Sequence, residues 1–155
     1  MKGDWPDDRR HVKAPLLRYL LPSGERRVRV DEKEGMPSHT IFTKLKRYGD
    51  VTLLDAELLT GRTHQIRVHM KYIGHTLFND ERYGGHDILK GTTFTKYKQF
   101  VQNCFAICPR QALHAKTLGF VHPTTGEEMF FDSEIPSDMQ QLIDRWRVYA
   151  NTKEL

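Results

Sequence analysis

The chain has 155 residues, a length that suits one domain with a hydrophobic core of its own. No stretch approaches the ~20 consecutive apolar residues that a transmembrane helix needs, so the sequence predicts no membrane span. Lysines and arginines number 24 against 20 aspartates and glutamates, and this excess permits a polyanionic partner without requiring one.

The two cysteines and the N-terminal residues indicate a cytoplasmic protein. Cys104 and Cys108 are the only cysteines, too few for a disulfide scaffold, and we expect both thiols to be reduced. Residues 1–8 contain no apolar region of the kind that a secretory signal peptide carries. We therefore expect the chain in the cytoplasm.

The first thirty residues combine an irregular start with two short candidate elements. Residues 1–13 are polar and include a glycine and a proline, so we predict irregular surface structure there. Residues 14–21 are mostly apolar, with leucines around Arg18 and Tyr19, and fit either a short strand or one helical turn. After a Pro-Ser-Gly turn signal, Arg26–Val30 alternates arginine with valine, which predicts a strand.

The strongest hairpin signal joins residues 37–48 to residues 51–60 through a Gly-Asp turn. Within the second run, residues 54–58 alternate apolar and acidic side chains. This alternation indicates a sheet that is packed on one face and wet on the other, and it favours antiparallel pairing.

The rest of the chain combines helices with a second hairpin. Apolar residues at helical spacing predict helices over 63–73, 90–108 and 137–150, and a hairpin is predicted over 112–121 and 127–132. Residues 151–155 are predicted to be a tail. Hairpins with helices between them describe an α+β domain over residues 1–155, with a mostly antiparallel mixed sheet and flanking helices.

Long polar side chains crowd the corner between the hairpin and the first predicted helix. Arg62, His64, Gln65, Arg67 and His69 fall within eight positions. Cations are mildly disfavoured at a helix N-terminus, so arginines there suggest that an anion compensates for them. Arg67 stands between isoleucine and valine and is expected to be partly buried, which requires a carboxylate or phosphate partner.

Other classes of site find little support. His64 and His69 are five residues apart, so they do not stack on one helical face, and no zinc signature is present. No serine-hydrolase elbow, phosphate-binding loop or dinucleotide fingerprint occurs. We predict no metal site, and we interpret the carboxylates with no catalytic spacing as solvated: Asp55, Glu57, Asp80 and Asp87.

The same corner carries a family resemblance. Residues 59–69, with the sequence LTGRTHQIRVH, resemble the signature of the ribosomal large subunit pseudouridine synthases, the RluA-like family. Further matches follow in the family's order, namely Gly74-His75, Asp80-Glu81-Arg82-Tyr83-Gly84, Leu113-His114-Ala115, Phe120 and His122-Pro123. Residues 14–17 and 23–30 look closest to the synthase C subgroup.

The resemblance implies a reaction and roles for particular residues. Enzymes of this family convert chosen uridines of structured RNA to pseudouridine without a cofactor, using a nucleophilic aspartate. The resemblance implies that Arg67 pairs with that aspartate, since a nearby cation keeps a pocketed carboxylate ionised. It implies that Leu113 packs near the target base. Arg62, His64 and Gln65 are then expected to shape the pocket or to hold RNA phosphates.

The sequence also departs from the family. The nucleophilic aspartate belongs to a His-Arg-Leu-Asp block, and no such block occurs in these 155 residues. We therefore expect the C-terminal part of a catalytic domain that holds half of an active site and is inactive alone. Surfaces that a longer parent buries would be exposed, which predicts self-association.

Two alternatives stay open. The first is a non-catalytic RNA-binding or ribosome-assembly module that keeps the synthase shell. The second is a metal-dependent hydrolase, which elemental analysis for zinc would test.

Overall fold

The computed structural model describes residues 8–86 and 95–153, and the elements of these residues alternate hairpins with helices. In chain order they are β1 (Arg9–Lys13), β2 (Leu16–Leu20), β3 (Arg26–Val30), β4 (His39–Tyr48), β5 (Val51–Leu58), α1 (Gln65–Tyr72), α2 (Thr95–Ile107), β6 (Thr117–Val121), β7 (Glu128–Asp132) and α3 (Ser137–Lys153). The predicted α+β class is confirmed. The strands form three sheets, β1-β4-β5, β2-β3 and β6-β7, and every pair among these described strands is antiparallel.

The central hairpin of β4 and β5 forms where the sequence predicts it. Tyr48 pairs with Val51 across a two-residue turn, and Gly49 supplies the positive φ of +61° that such a turn favours. The register shifts between Lys44 and Lys46, so Leu45 forms a bulge on β4. The hairpin carries its apolar side chains toward α1 and the two long helices.

Two predictions at the ends of the chain are wrong. Residues 9–13 are not irregular: they form strand β1, which pairs along β4 and buries Val12. The strand escapes prediction because one apolar residue in five shows no alternation, and its stability comes from the backbone bonds to β4. Residues 151–153 are not a tail, because α3 continues through them to Lys153. At the two ends of the chain, residues 1–7, 154 and 155 of these predictions lie outside the described part.

The open choice for residues 14–21 resolves to a strand. Leu16–Leu20 pairs with Arg26–Val30 in antiparallel register, so backbone partners across the turn decide what periodicity could not. The predicted helix over 90–108 is present as α2 from Thr95, and its residues 90–94 lie outside the described part.

The core consists of three neighbouring clusters. The first lies between α2, α3 and the tip of the β4–β5 hairpin, and it is rich in rings, with Phe100 stacked on Tyr149 and packed edge-on against Trp146. The second and third lie on either side of α1, which contributes Met70 to one and Val68 to the other. Helix α1 is therefore wedged between the β1-β4-β5 sheet and the β2–β3 hairpin.

The β6–β7 hairpin differs from the rest because its apolar side chains are exposed. The pairs Leu118–Phe131 and Phe120–Met129 lie on one face, while Phe130 lies on the other. Four of these five side chains are exposed, and Met129 is half-buried. None of the described helices is both long and apolar enough to cross a membrane.

Candidate functional site at helix α1

Helix α1 is short and has defined ends. His64 precedes it with a left-handed backbone (φ +53°). At the other end, Gly74 has a φ of +87°, its N–H donates to the carbonyl of Lys71, and the next N–H donates to Met70. This is the Schellman arrangement that glycine favours, so the predicted stop at Gly74 is confirmed. The helix thus presents Arg67 from its first turn.

Arg67 is paired with an acid that the chain itself supplies. Its Nε and Nη2 donate to the two oxygens of Asp80 at 2.9 and 2.7 Å. Arg67 is 12% exposed and Asp80 0% exposed. Hydrogen bonding to Asp80 raises the pKa of Arg67 above its ordinary value, so the guanidinium is permanently charged. The expected partial burial of Arg67 is confirmed, whereas the interpretation of Asp80 as a solvated carboxylate is wrong.

The turn that carries Asp80 is tightly built. Asn79 has a left-handed backbone with φ +58°, its N–H donates to the carbonyl of Gly85, and the Gly85 N–H donates to the carbonyl of Asp80. A Cβ atom on Gly85 would lie 1.8 Å from the Leu77 carbonyl oxygen and 2.8 Å from the Asp80 nitrogen. The close approach of the backbone therefore requires glycine at position 85.

Tyr83 connects the ion pair to His64. Its ring lies 5.0 Å from the Arg67 guanidinium carbon, and its backbone N–H donates to Asp80 at 3.3 Å. The hydroxyl accepts the backbone N–H of Val28 and is 2.7 Å from His64 Nδ1. Desolvation, and then the charge of Arg67, lowers the pKa of His64, which keeps its imidazole neutral near pH 7.

Gln65 serves a different, internal network. Its Oε1 accepts from the Thr60 hydroxyl and the Arg62 N–H, and its Nε2 donates to the His39 carbonyl and the Thr40 hydroxyl. Both amide hydrogens and both lone-pair directions are thereby used, and the residue is buried. The prediction that Gln65 binds RNA does not fit this position; the side chain instead fastens the 60–62 loop to β4.

His69 extends that network into the core. Its Nδ1 is 2.8 Å from the Thr40 hydroxyl, and its Nε2 is 2.9 Å from the carbonyl oxygen of Ala14. Since a carbonyl only accepts, Nε2 carries the proton. Burial lowers the pKa of His69, so the ring is neutral and its role is structural.

Among the described residues, Arg62 and Leu113 make no hydrogen bond to the ion pair. Arg62 is exposed, and its Nε donates to the carbonyl of Pro37 at 3.2 Å. Leu113 is half-buried against the cluster that contains Met70, and its carbonyl accepts from Arg110 Nη1 at 2.9 Å. The same Arg110 is held by a bidentate bond to Asp138 at the start of α3.

A cavity of about 350 Å³ opens beside the ion pair. It is lined by Arg67, Asn79, Glu81, Arg82, Pro109, Arg110 and Gln111. Arg67 and Arg82 retain N–H donors beyond those that their carboxylate partners use, whereas Arg110 also donates from Nη1 to the carbonyls of Gln111 and Leu113. Open guanidinium donors that line a cavity favour an anionic ligand. Of the five predicted site residues, only Arg67 lines this cavity, while His64 is joined to it through Tyr83.

Asp80, Tyr83, Arg110 and Asp138 are brought to the candidate site by the fold, and the sequence does not predict any of them as a site residue. Asp80 and Tyr83 stand in one of the family-like motif blocks, and their spacing of three residues is a signal that could have been read as a turn. Arg110 and Asp138 carry no comparable signal, because 28 residues separate them. Among residues 8–86 and 95–153, no three histidine, cysteine or acidic side chains are grouped so that they could hold a metal ion.

Sequence comparisons agree with this arrangement of motifs. Residues 6–72 match the profile of the family described as RNA pseudouridylate synthase. Ribosomal large subunit pseudouridine synthase C of Haemophilus ducreyi is 40% identical over 147 residues, and its counterpart in Escherichia coli K12 is 38% identical, each over 95% of this chain. The alignments cover 42% and 43% of those two proteins, so the chain spans less than half of their length.

Solved structures show the same fold. Human RNA Pseudouridylate Synthase Domain Containing 1 superimposes with a TM-score of 0.60 at 22% identity, over 94% of this chain and 62% of that one. Human RNA Pseudouridylate Synthase Domain Containing 4 gives 0.64 at 18% identity, over 90% and 57%. Identities this low bear on the fold alone.

Proposed function

The chain belongs to the RNA pseudouridylate synthase family, and we propose that it forms part of an enzyme that isomerises uridines of large-subunit rRNA to pseudouridine. The observation that carries the proposal is the state of Arg67. Asp80 occupies the Nε–Nη2 edge of the guanidinium, and Nη1 has no hydrogen-bond partner among the described residues. A fixed cation with one open edge therefore lines the cavity.

In this proposal Arg67 serves two carboxylates. Asp80 holds one edge of the guanidinium, and the nucleophilic aspartate pairs with the other. The second aspartate comes from sequence outside these 155 residues, which contain no His-Arg-Leu-Asp block. A guanidinium at hydrogen-bond distance keeps such a carboxylate ionised and aims it, which is what attack on the uridine requires.

The other predicted site residues have supporting roles. Leu113 offers an apolar surface for the target base, and Arg110 fixes its backbone by holding its carbonyl. Arg62 is exposed and can reach an RNA phosphate, while neutral His64 orients Tyr83 beneath the Arg67 guanidinium. By itself the chain holds half of the active site and has no turnover.

A chimera tests the proposal most directly. This chain replaces the matching segment of the Escherichia coli relative, and pseudouridine is mapped in unmodified large-subunit rRNA. We expect product from the chimera and none from the chain alone. Arg67→Ala in the chimera should lower the rate by ~10²-fold or more while RNA binding is largely kept.

A conservative variant separates chemistry from folding. Arg67→Lys keeps a charge beside buried Asp80, but it loses the fork that can bond two carboxylates at once. We expect a folded chimera with a lowered rate. Product formation by the isolated chain would refute the half-site proposal. Salt-sensitive RNA binding by a chimera that never forms pseudouridine would favour the non-catalytic RNA-binding module.

The chain is also proposed to self-associate through the β6–β7 hairpin. Leu118, Phe120, Met129 and Phe131 share one face of this two-stranded sheet, and three of them are exposed. A second copy of the same face would bury both apolar surfaces. In sedimentation velocity we expect a concentration-dependent dimer that Phe131→Lys abolishes. Phe130→Lys on the opposite face is the matched control, and a monomer at all concentrations would contradict the proposal.

A further inference from the structure

The β2–β3 hairpin concentrates positive charge. Residues 16–30 contain four arginines and one glutamate, in a chain whose net charge is only +4. Glu25 is shared, since one of its oxygens lies 3.5 Å from Arg27 Nε and 2.8 Å from Arg82 Nε. The hairpin therefore carries more cations than its own acid can neutralise.

Two of these arginines have no acidic partner in the part of the chain that the structure describes. Among the residues that the structure describes, no carboxylate lies within 4.0 Å of Arg18 or Arg26. Both are exposed. Guanidinium groups without an acidic partner are weakly hydrated, and proteins commonly use them to bind phosphates.

The two arginines lie together on one face. Arg18 is opposite Val28 and Arg26 is opposite Leu20, so the two guanidinium groups are diagonal neighbours across the hairpin. With Tyr19 and Leu20 they line a shallow surface cavity of about 240 Å³. Leu20 is 67% exposed, which puts an apolar side chain between the charges. Apolar and cationic groups alternating on a surface suit nucleic acid, whose bases and phosphates alternate.

The hairpin is fastened to the rim of the candidate site. The Val28 N–H donates to the Tyr83 hydroxyl at 3.2 Å, and Glu25 is ion-paired with Arg82, which lines the cavity beside Arg67. The hairpin therefore adjoins the rim of this cavity. We infer that Arg18 and Arg26 form a second RNA contact, which holds phosphates flanking the target uridine; this inference rests on the proposed function.

The test measures RNA binding by the chain itself. The probe is a fluorescein-labelled RNA hairpin with a uridine-rich loop, followed by fluorescence anisotropy over a series of salt concentrations. We expect Arg18→Gln/Arg26→Gln to weaken binding about 10-fold at low salt. Because this variant lacks two phosphate-binding cations, the slope of log affinity against log salt should fall by about 1.4. Thermal melting should be unchanged, because neither side chain has an ion-pair partner within residues 8–86 and 95–153 to lose.

The matched control removes the same charge elsewhere. Arg145→Gln/Arg147→Gln lies on α3, which packs against α2 and β4 rather than against the hairpin. We expect this control to bind RNA within about twofold of the original chain. Equal weakening by both pairs would mean diffuse attraction and would overturn the inference, as would no weakening by the hairpin pair or no binding by the original chain.

Two further outcomes separate this inference from the proposed function. If the chimera forms pseudouridine and the hairpin variant binds RNA normally, the contact is disproved while the enzyme assignment stands. If the chain binds RNA through the hairpin and the chimera forms no pseudouridine, the contact stands and the enzyme assignment falls. Competition by polyglutamate as strong as that by unlabelled RNA would point to an acidic protein and overturn RNA as the partner.

Discussion

Two arginine–aspartate pairs in this molecule have the same geometry and different surroundings. Arg67 donates through Nε and Nη2 to Asp80 at 2.9 and 2.7 Å, and Arg110 donates through the same two atoms to Asp138 at 2.9 and 3.0 Å. The first pair is 12% and 0% exposed, and the second is 37% and 31% exposed. Both arginines line the same cavity.

Because the bond geometry is the same, we expect burial to decide how much each ion pair contributes to the stability of the fold. Breaking the inner pair leaves a buried charge without its opposite charge, which costs several kcal/mol. When the outer pair breaks, each partner is resolvated, and pairs of that kind contribute little. We therefore expect the inner pair to stabilise the fold around Arg67 strongly. The outer pair should stabilise the loop that leads to Leu113 only weakly.

The largest effect is expected from breaking the inner pair. Arg67→Met leaves Asp80 buried and unpaired, and the free energy of unfolding should fall by about 3–5 kcal/mol. Urea unfolding followed by circular dichroism measures this loss. Arg110→Met is the matched control, and an equal loss from the two variants would break the comparison.

The next effect comes from removing both charges of the inner pair. In Arg67→Met/Asp80→Leu an apolar pair replaces the ion pair, and most of the roughly 3–5 kcal/mol of stability lost in Arg67→Met should return. The same urea experiment measures the recovery. A double variant no more stable than Arg67→Met would show that Asp80 is needed for its bond to the Tyr83 N–H rather than for its charge.

A smaller effect is expected at the outer pair, and it should depend on pH. The hydrogen bonds from Arg110 lower the pKa of Asp138 from its ordinary 3.8. Because the folded-state pKa lies below the unfolded one, the stabilisation is complete above the unfolded value and disappears as the pH falls through the folded value. Asp138→Asn should lower the melting temperature by about 2 °C near neutral pH and by nothing in strong acid. A difference that persists in acid would contradict this origin.

The smallest effect is expected from salt. Arg110→Gln should lower the melting temperature by no more than about 2 °C in dilute buffer, and roughly 1 M salt should erase most of that difference. Differential scanning calorimetry at two salt concentrations measures the change. Arg67→Lys is the comparison, since salt hardly reaches a buried pair. A deficit of Arg110→Gln that salt leaves intact would show that its bonds to the Gln111 and Leu113 carbonyls matter more than its charge.

Local signals predict the parts of this fold that depend on neighbours in sequence. The β4–β5 hairpin follows from alternation around a Gly-Asp turn, and the end of α1 follows from Gly74. The edge strand β1 escapes prediction because a strand with one apolar side chain is made by its partner β4 rather than by its own pattern. A residue's partner across the fold is invisible to such patterns.

The same limit applies to the candidate site, where local patterns do not reveal which residues meet across the fold. The position of Arg67 between apolar residues predicts its burial, but Asp80 is 13 residues away, beyond the end of the helix and a turn, where its spacing indicates only a solvated acid. Sequence does not reveal that the amide of Gln65 is already hydrogen-bonded to nearby backbone, and the role of Gln65 in RNA binding stays a prediction. The roles of Arg62, His64, Arg67 and Leu113 in binding and catalysis stay predictions.

Gly85 lies behind Asp80 with no room for a side chain, since a methyl group there would collide with the Leu77 carbonyl. In a mutational scan scored only for folded protein, position 85 should tolerate nothing else. Intolerance of substitutions at position 85 then reflects the tight backbone of the turn that carries Asp80 and gives no information about catalysis. A mutational scan must measure protein abundance and catalytic activity separately before intolerance at a motif position is taken as evidence of a catalytic role.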